Sequence, residues 1–329
     1  MMKRLFIAGT TVLLAMSLAA CGSDNKNEAN VAPTEPATVA VDKPAVETTS
    51  SEQTITYLGK DYTLPAQVNN IVAASLESME DAAILGVKPV GVLSIANAIP
   101  TYLEKELAGA ALIGDKFAPN NEAILGLNPD VILGSSKFGD EVAGALNKIQ
   151  TMIPYSHIST NWKDNLNLLA QLTGKEAQAS TIIADYDTKA AEAKLKISES
   201  LKDKKVVILR IREGSICVYP AGVYLNPILY DDLGVTIPDV IAKTEAQAEL
   251  SLEGLADLNP DYIFLQFETS ENTDAPKALE KLLDNAIFKS TEAAKNNHVF
   301  VNAIDPLAQG GTAWSKVKFL DAAIENLLK

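Results

Sequence analysis

Two stretches decide the architecture when one is laid on the other: Glu122-Ala-Ile-Leu-Gly-Leu-Asn128-Pro129-Asp130-Val-Ile-Leu133 and Glu253-Gly-Leu-Ala-Asp-Leu-Asn259-Pro260-Asp261-Tyr-Ile-Phe264. They align without a gap, and six of the twelve positions are identical. In each, a helical stretch with a glutamate near its start stops at Asn-Pro-Asp, a stop-and-turn signal, and an apolar strand follows. Helix-to-strand loops of this kind arise by chance. Matching glutamates make chance a poor account, so the architecture is read as laid down twice.

The surroundings of each copy agree. Ile71–Ala74, Val90–Leu93, Val131–Leu133 and Ile153–Tyr155 read as buried strands, and Met79–Leu85, Glu122–Leu127 and Glu141–Ile149 carry helical spacing. The second half repeats the alternation. Strands are predicted at Val206–Ile211, Tyr262–Phe267 and Val299–Ile304, and helices at Asn226–Leu233, Leu252–Leu258 and Ala313–Leu328. Such alternation predicts a mainly parallel sheet covered by helices. Between the halves, Lys175–Leu201 contains neither Gly nor Pro. As one helix it would span roughly 40 Å. The expected fold is therefore α/β, with lobes at 55–173 and 203–329 joined by a rigid strut over 174–202.

The N-terminus carries a different signal. Lys3 and Arg4 precede an apolar stretch, Leu5 to Ala15, that runs into Leu18-Ala19-Ala20-Cys21. A basic start, an apolar segment too short to span a bilayer and small residues before the cut describe a signal peptide over 1–20. Leu-Ala-Ala-Cys resembles the lipobox of bacterial lipoproteins, in which the cysteine becomes a lipidated N-terminus. Residues 21–54 are then the lipidated Cys21 and a polar segment with few large apolar side chains, which reads as a flexible tether. About 32 such residues reach roughly 30 Å. The expected location is the extracytoplasmic face of the cell membrane.

Charge and composition exclude several classes. The chain carries 42 acidic against 28 basic residues, and cutting before Cys21 removes two of the basic ones. So acidic a surface argues against nucleic acid as a partner and against lying flat on anionic lipid. Aromatic residues make up 6% of the chain, which weighs against a sugar site built on stacked rings. Besides Cys21 the only cysteine is Cys217, in the strand-like run Ser215-Ile-Cys-Val-Tyr219, so it reads as a packed thiol and no intrachain disulfide is expected. His157 and His298 lie within or at the start of strands and are not clustered with cysteines, so neither suggests a metal centre. No nucleophile elbow, P-loop or dinucleotide fingerprint occurs. An enzyme is not expected.

Ligands of open parallel sheets bind beyond the carboxyl ends of the strands. Val206-Val-Ile-Leu-Arg210-Ile-Arg212 ends in two arginines that alternation places on one face. Val131-Ile-Leu-Gly-Ser-Ser-Lys137 and Ala111-Leu-Ile-Gly-Asp-Lys116 each end in a lysine. Any one of these could be a solvated side chain or a local salt bridge. Four together, at the strand ends of two lobes in an acidic protein, point to an anionic ligand between the lobes.

Four stretches carry a resemblance: Ile71-Val-Ala-Ala-Ser-Leu-Glu-Ser-Met-Glu-Asp81, Asp130-Val-Ile-Leu-Gly-Ser-Ser-Lys-Phe138, Arg210-Ile-Arg212 and Asp305-Pro-Leu-Ala-Gln-Gly-Gly-Thr-Ala-Trp-Ser-Lys316. From about Asn70 to Lys329 the chain resembles the substrate-binding lipoproteins of ABC importers for ferric siderophores and cobalamin. It is similar in particular to the ferric-bacillibactin (enterobactin-type catecholate) receptors of Gram-positive bacteria.

The resemblance implies the class III periplasmic-binding-protein fold, with two lobes, one long helix and a shallow cleft. It implies a trianionic tris-catecholate iron complex held by Lys116, Lys137, Arg210 and Arg212, with Gln247 beside them and Lys243 nearby. Glu245 stands where those receptors carry another lysine; facing the cleft, it would favour a hydroxamate or citrate-type ligand. Glu122 and Glu253 match the glutamates that dock with a permease, itself driven by an ATPase. The protein is expected to be a monomer with no cofactor beyond its lipid. Cobalamin or haem is the alternative ligand. A surface α/β hydrolase or a structural lipoprotein is the alternative class.

Overall fold

Both Asn-Pro-Asp turns form, and they form alike. The computed structural model describes residues 52–329, and in it Asn128 and Asn259 adopt left-handed backbone with φ of 46° and 44°. Asparagine tolerates that region better than bulkier residues. The next aspartates do the same work twice. Asp130 N–H donates to Asn70 O and Asp261 N–H to Lys205 O, each at 2.9 Å. The Asp130 carboxylate accepts from the amides of Asn69 and Asn70, and the Asp261 carboxylate from that of Lys205. Each turn thus fastens the chain entering the first parallel strand of its half.

The first half opens with an antiparallel hairpin, β1 (Glu52–Tyr57) and β2 (Lys60–Pro65). Its sheet contains β3 (Ile71–Ala74), β4 (Gly91–Ser94), β5 (Ala111–Asp115), β6 (Ala118–Pro119), β7 (Val131–Ser135) and β8 (Met152–Tyr155). The order is β6-β5-β4-β3-β7-β8, parallel except at β6. The helices of this half are α1 (Leu76–Leu85), α2 (Asn121–Gly126), α3 (Asp140–Asn147) and α4 (Trp162–Thr173).

The strut is α5 (Glu176–Ser200), whose buried residues Ala179, Tyr186, Ala190, Ala193 and Ile197 form one stripe at helical spacing. The second sheet orders β11 (Ala248–Glu249), β10 (Ser215–Val218), β9 (Val206–Arg212), β12 (Tyr262–Phe267) and β13 (Val299–Val301). Its helices are α6 (Asp239–Ala242), α7 (Leu252–Leu258), α8 (Ala278–Asp284), α9 (Ala286–Lys289), α10 (Glu292–Lys295) and α11 (Ala313–Leu327). These are two α/β lobes joined by one long helix.

Several elements depart from the sequence expectation. The tether was expected to run through residue 54, but β1 begins at Glu52, because Ile55 and Tyr57 alternate inward from polar neighbours. The signal peptide and lipidated Cys21 lie outside the described residues. The second sheet is only half parallel, since β10 pairs antiparallel with both β9 and β11. The strand predicted to reach Ile304 stops at Val301. Asn302 turns left-handed there, and its side-chain amide satisfies both the N–H and the C=O of Phe267. The helix predicted at Asn226–Leu233 is a wide turn over Ile228–Asp232, closed by Leu233 N–H donating to Ile228 O.

The C-terminal segment returns to the first lobe, where α11 packs against α1, α4 and α5. Two fully buried carboxylates of α1 receive its start. Glu80 Oε1 accepts from Tyr102 Oη and Gln309 N, and Oε2 accepts from Thr312 Oγ1 and Ser315 Oγ. Asp81 accepts from Ala313 N and Tyr155 Oη, both at 2.8 Å. Negative charge at a helix N-terminus is favourable. One turn along, buried Lys316 donates to Asp232 at 2.8 Å.

Glu80→Ala is expected to cost about 3–5 kcal/mol in urea unfolding, because it orphans four donors in a dry site. Burial pushes the Glu80 carboxyl up to about 7, against the pull of its hydrogen bonds to Ser315, Thr312, Tyr102 and Gln309. The folded value lies above the usual 4.5, so this contribution is complete below about pH 4.5 and is lost as pH rises through about 7. Unfolding measured at pH 5 and 7.5 should show that decline in the native chain and a flatter profile for Glu80→Gln.

Candidate functional site

The carboxyl ends of β3, β5, β7, β8 and β9 face a cleft of about 650 Å³ between the lobes. Local turns position its first-lobe cations. Lys116 follows β5 in a turn that needs glycine at 114, where φ is +105° and a Cβ would meet Ala118 O at 2.5 Å. Lys137 follows β7 in a turn closed by Phe138 N–H to Ser135 O. Its Nζ lies 2.9 Å from Glu77 Oε1, and Glu77 is buried in the first turn of α1. His157 shares a 2.8 Å hydrogen bond between Nδ1 and Ser136 Oγ. Burial, and then the charge of Lys137, hold its pKa below the usual value.

The second lobe supplies two arginines on one face of β9, as alternation predicts. Arg210 is 7% exposed, with its guanidinium 5.1 Å from the centre of the Tyr224 ring. Tyr224 has a φ of 60°, a strained setting for a bulky residue. Gly310 accommodates that backbone, because a Cβ there would meet Tyr224 O at 2.4 Å. Arg212 Nη1 donates to Gln247 Oε1 at 2.8 Å, and Tyr219 Oη donates to the same oxygen at 3.0 Å.

Lys116, Lys137, Arg210, Arg212 and Gln247 therefore line one cleft. Lys243 does not join them. It is exposed on the residue capping α6 and lies 3.5 Å from Asp239, its partner one turn earlier. Glu245 does line the cleft.

Reading the strand ends for cations alone missed the carboxylates. Glu271, four residues beyond β12, lies 2.7 Å from Arg210 Nη2, 3.4 Å from Lys116 Nζ and 3.7 Å from Arg212 Nε. Burial alone would raise its pKa, but Arg210, Arg212 and Lys116 hold it below the usual carboxylate value. Four cations thus share the cleft with Glu77, Glu245 and Glu271. Rings from Phe117, Phe138, Tyr219 and Tyr224 also reach it. A second hollow of about 650 Å³ lies in the C-terminal lobe, but Lys281 is its one cation, and it offers no comparable grip on an anion.

Glu122 and Glu253 lie away from the cleft at matching places. Each is exposed in the first turn of its helix, behind an Asn120 or Ser251 cap, and each helix follows the edge strand of its sheet. Neither forms an ion pair among the described residues. Cys217 is buried, and burial raises its thiol pKa.

The family model for periplasmic binding proteins matches residues 71–303. The chain belongs to this family. The periplasmic binding protein described here is 45% identical over 327 residues to the iron-uptake system-binding protein of Bacillus subtilis, covering 99% of each chain. Its fold superposes on the crystal structure of FeuA from Bacillus subtilis, a triscatecholate siderophore binding protein, complexed with ferri-bacillibactin. That match has a TM-score of 0.80 and 48% identity, covering 84% of this chain and 98% of the other. Staphylococcus aureus SirA complexed with staphyloferrin B matches at a TM-score of 0.72 and 26% identity, over 84% of this chain and 98% of that one. The fold is thus the class III form.

Proposed function

We infer that this periplasmic binding protein is an extracytoplasmic receptor that holds a ferric siderophore between its lobes and delivers it to an ABC importer. The observation that carries the reading is the convergence of Lys116, Lys137, Arg210 and Arg212 from two lobes on one cleft. Guanidinium and ammonium groups match the negative oxygens of a ferric chelate, and the neighbouring rings can lie against its aromatic arms. No bond is made or broken, and the iron stays wrapped by its chelator as cargo. The tris-catecholate bound by FeuA is the class that this cation set fits best.

Glu245 supports a second reading. With Glu77 and Glu271 it leaves the four cations only one charge in excess, which favours a less anionic chelate, such as a neutral trihydroxamate, over a trianionic tris-catecholate. Titrating ferric tris-catecholate, ferric trihydroxamate and ferric citrate against tryptophan fluorescence separates the two. Saturable quenching by one iron complex and none by its iron-free chelator is expected; a flat response to all would refute the receptor assignment.

Arg210→Ala should weaken the preferred complex by about 2–4 kcal/mol, roughly 30-fold or more in Kd. Lys137→Ala, at a half-exposed site, should cost about 1 kcal/mol. Glu245→Lys should tighten a trianionic chelate by about tenfold and leave a neutral trihydroxamate unchanged. No effect of Glu245→Lys on either would remove that residue from ligand choice.

Delivery would use lipidated Cys21 as the membrane anchor and Glu122 and Glu253 as the contacts with basic groups of the permease, which is coupled to its ATPase. The matched, exposed and unpaired setting of the two glutamates supports this role. Combined Glu122→Ala and Glu253→Ala should abolish iron uptake by cells while ligand affinity stays at the native value. Normal uptake by the double variant would overturn the docking assignment.

A further inference from the structure

Glu271 occupies the place where a ligand's oxygens would be expected to act. Its carboxylate is 8% exposed and meets three of the four cleft cations. Arg210 and Arg212 belong to its own lobe, whereas Lys116 comes from the other. Among the described residues, Lys116–Glu271 is the ion pair that crosses the cleft.

The carboxylate sits on a fixed mount. Glu271 O accepts from Glu213 N. The next residue, Asn272, donates to Ile211 O and accepts from Gly214 N, which fastens this loop to the β9–β10 hairpin. A short helical turn over Thr269–Glu271, capped by the Glu268 side chain, keeps the loop in shape. Glu271 therefore moves with the arginines. The lysine is the partner that approaches from across the cleft.

We propose that Glu271 is the cleft's resident counter-anion, bridging the lobes through Lys116 until a multiply charged chelate replaces it. The proposal rests on the siderophore reading and adds a basis for selectivity. Three cations meet this one carboxylate, and over the whole cleft the cations still exceed the carboxylates by one charge. An anion of single charge gains little by displacing Glu271, whereas a chelate with several negative oxygens engages both lobes at once. Glu271 is thus a positioning residue that sets a charge threshold for entry. A purely structural carboxylate, needed only to hold the arginines in place, would have the opposite effect on affinity when neutralised.

The test uses the full chain and its Glu271→Gln variant, with a ferric tris-catecholate as probe. Neutralising the counter-anion should tighten binding roughly tenfold, since one charge-assisted competitor is gone. In ligand-free protein, hydrogen exchange of residues 111–119, which carry Lys116, should quicken in the variant and return to the native rate when the chelate binds. Glu271→Asp keeps a charge on Arg210 but withdraws it from Lys116. It should also quicken exchange, with less stress on the fold. Weaker binding by Glu271→Gln, or unchanged exchange in both variants, would overturn the proposal. If the native chain binds no ferric chelate, the siderophore reading fails, while the exchange measurements still decide whether Glu271 ties the lobes together.

Discussion

The placement of two carboxylates inside a helix governs much of this structure. Glu80 and Asp81 lie side by side, fully buried, in a region where an uncompensated charge would be very costly. They are tolerated because the segment Gln309–Ser315 brings them backbone and hydroxyl donors together with the start of α11. That arrangement ties the last helix of the chain to the first helix of the first lobe. The lobes are therefore held by the strut α5 and also by α11 beside it, with Lys316 and Asp232 adding a buried contact to the second lobe.

Upon this frame the cleft is assembled from turns. Each cation follows the end of a strand or lies near it, and each meets a carboxylate in the same hollow. Such pairing lets an acidic protein maintain a cationic surface in the absence of a ligand. Arg210 is nearly buried, and without Glu271 and the face of Tyr224 its charge would be poorly compensated. The same carboxylates then limit how much net positive charge a ligand meets.

How legible this was in the sequence depended on the range of the interaction. The paired Asn-Pro-Asp turns, the parallel strands and the glycine-free strut are written in local signals, and they stand close to where those signals place them. Arg210 and Arg212 were readable because strand alternation fixes their common face. Glu271 and Glu77 were not, because nothing near them in the chain shows which cations will reach them. Lys243, two residues before Glu245, lies outside the cleft because it ends α6 and turns to solvent beside Asp239. Ser215–Tyr219 reads as a strand, but its antiparallel pairing as β10 is not written locally, β11 is two residues and too short for a pattern, and the polar half of the hairpin at Glu52–Pro65 resembles the segment before it.

That hairpin is attached to one side of the molecule. Tyr57 Oη donates to Asn165 and accepts from Ser156 N, and Thr151 bonds to the carbonyl of Thr63, all within the N-terminal lobe. Any mechanical load applied upstream of Glu52 therefore enters a single lobe and bypasses the other. Held by that end, the molecule would have its first half as the fixed side, so that any motion between the lobes falls to the second.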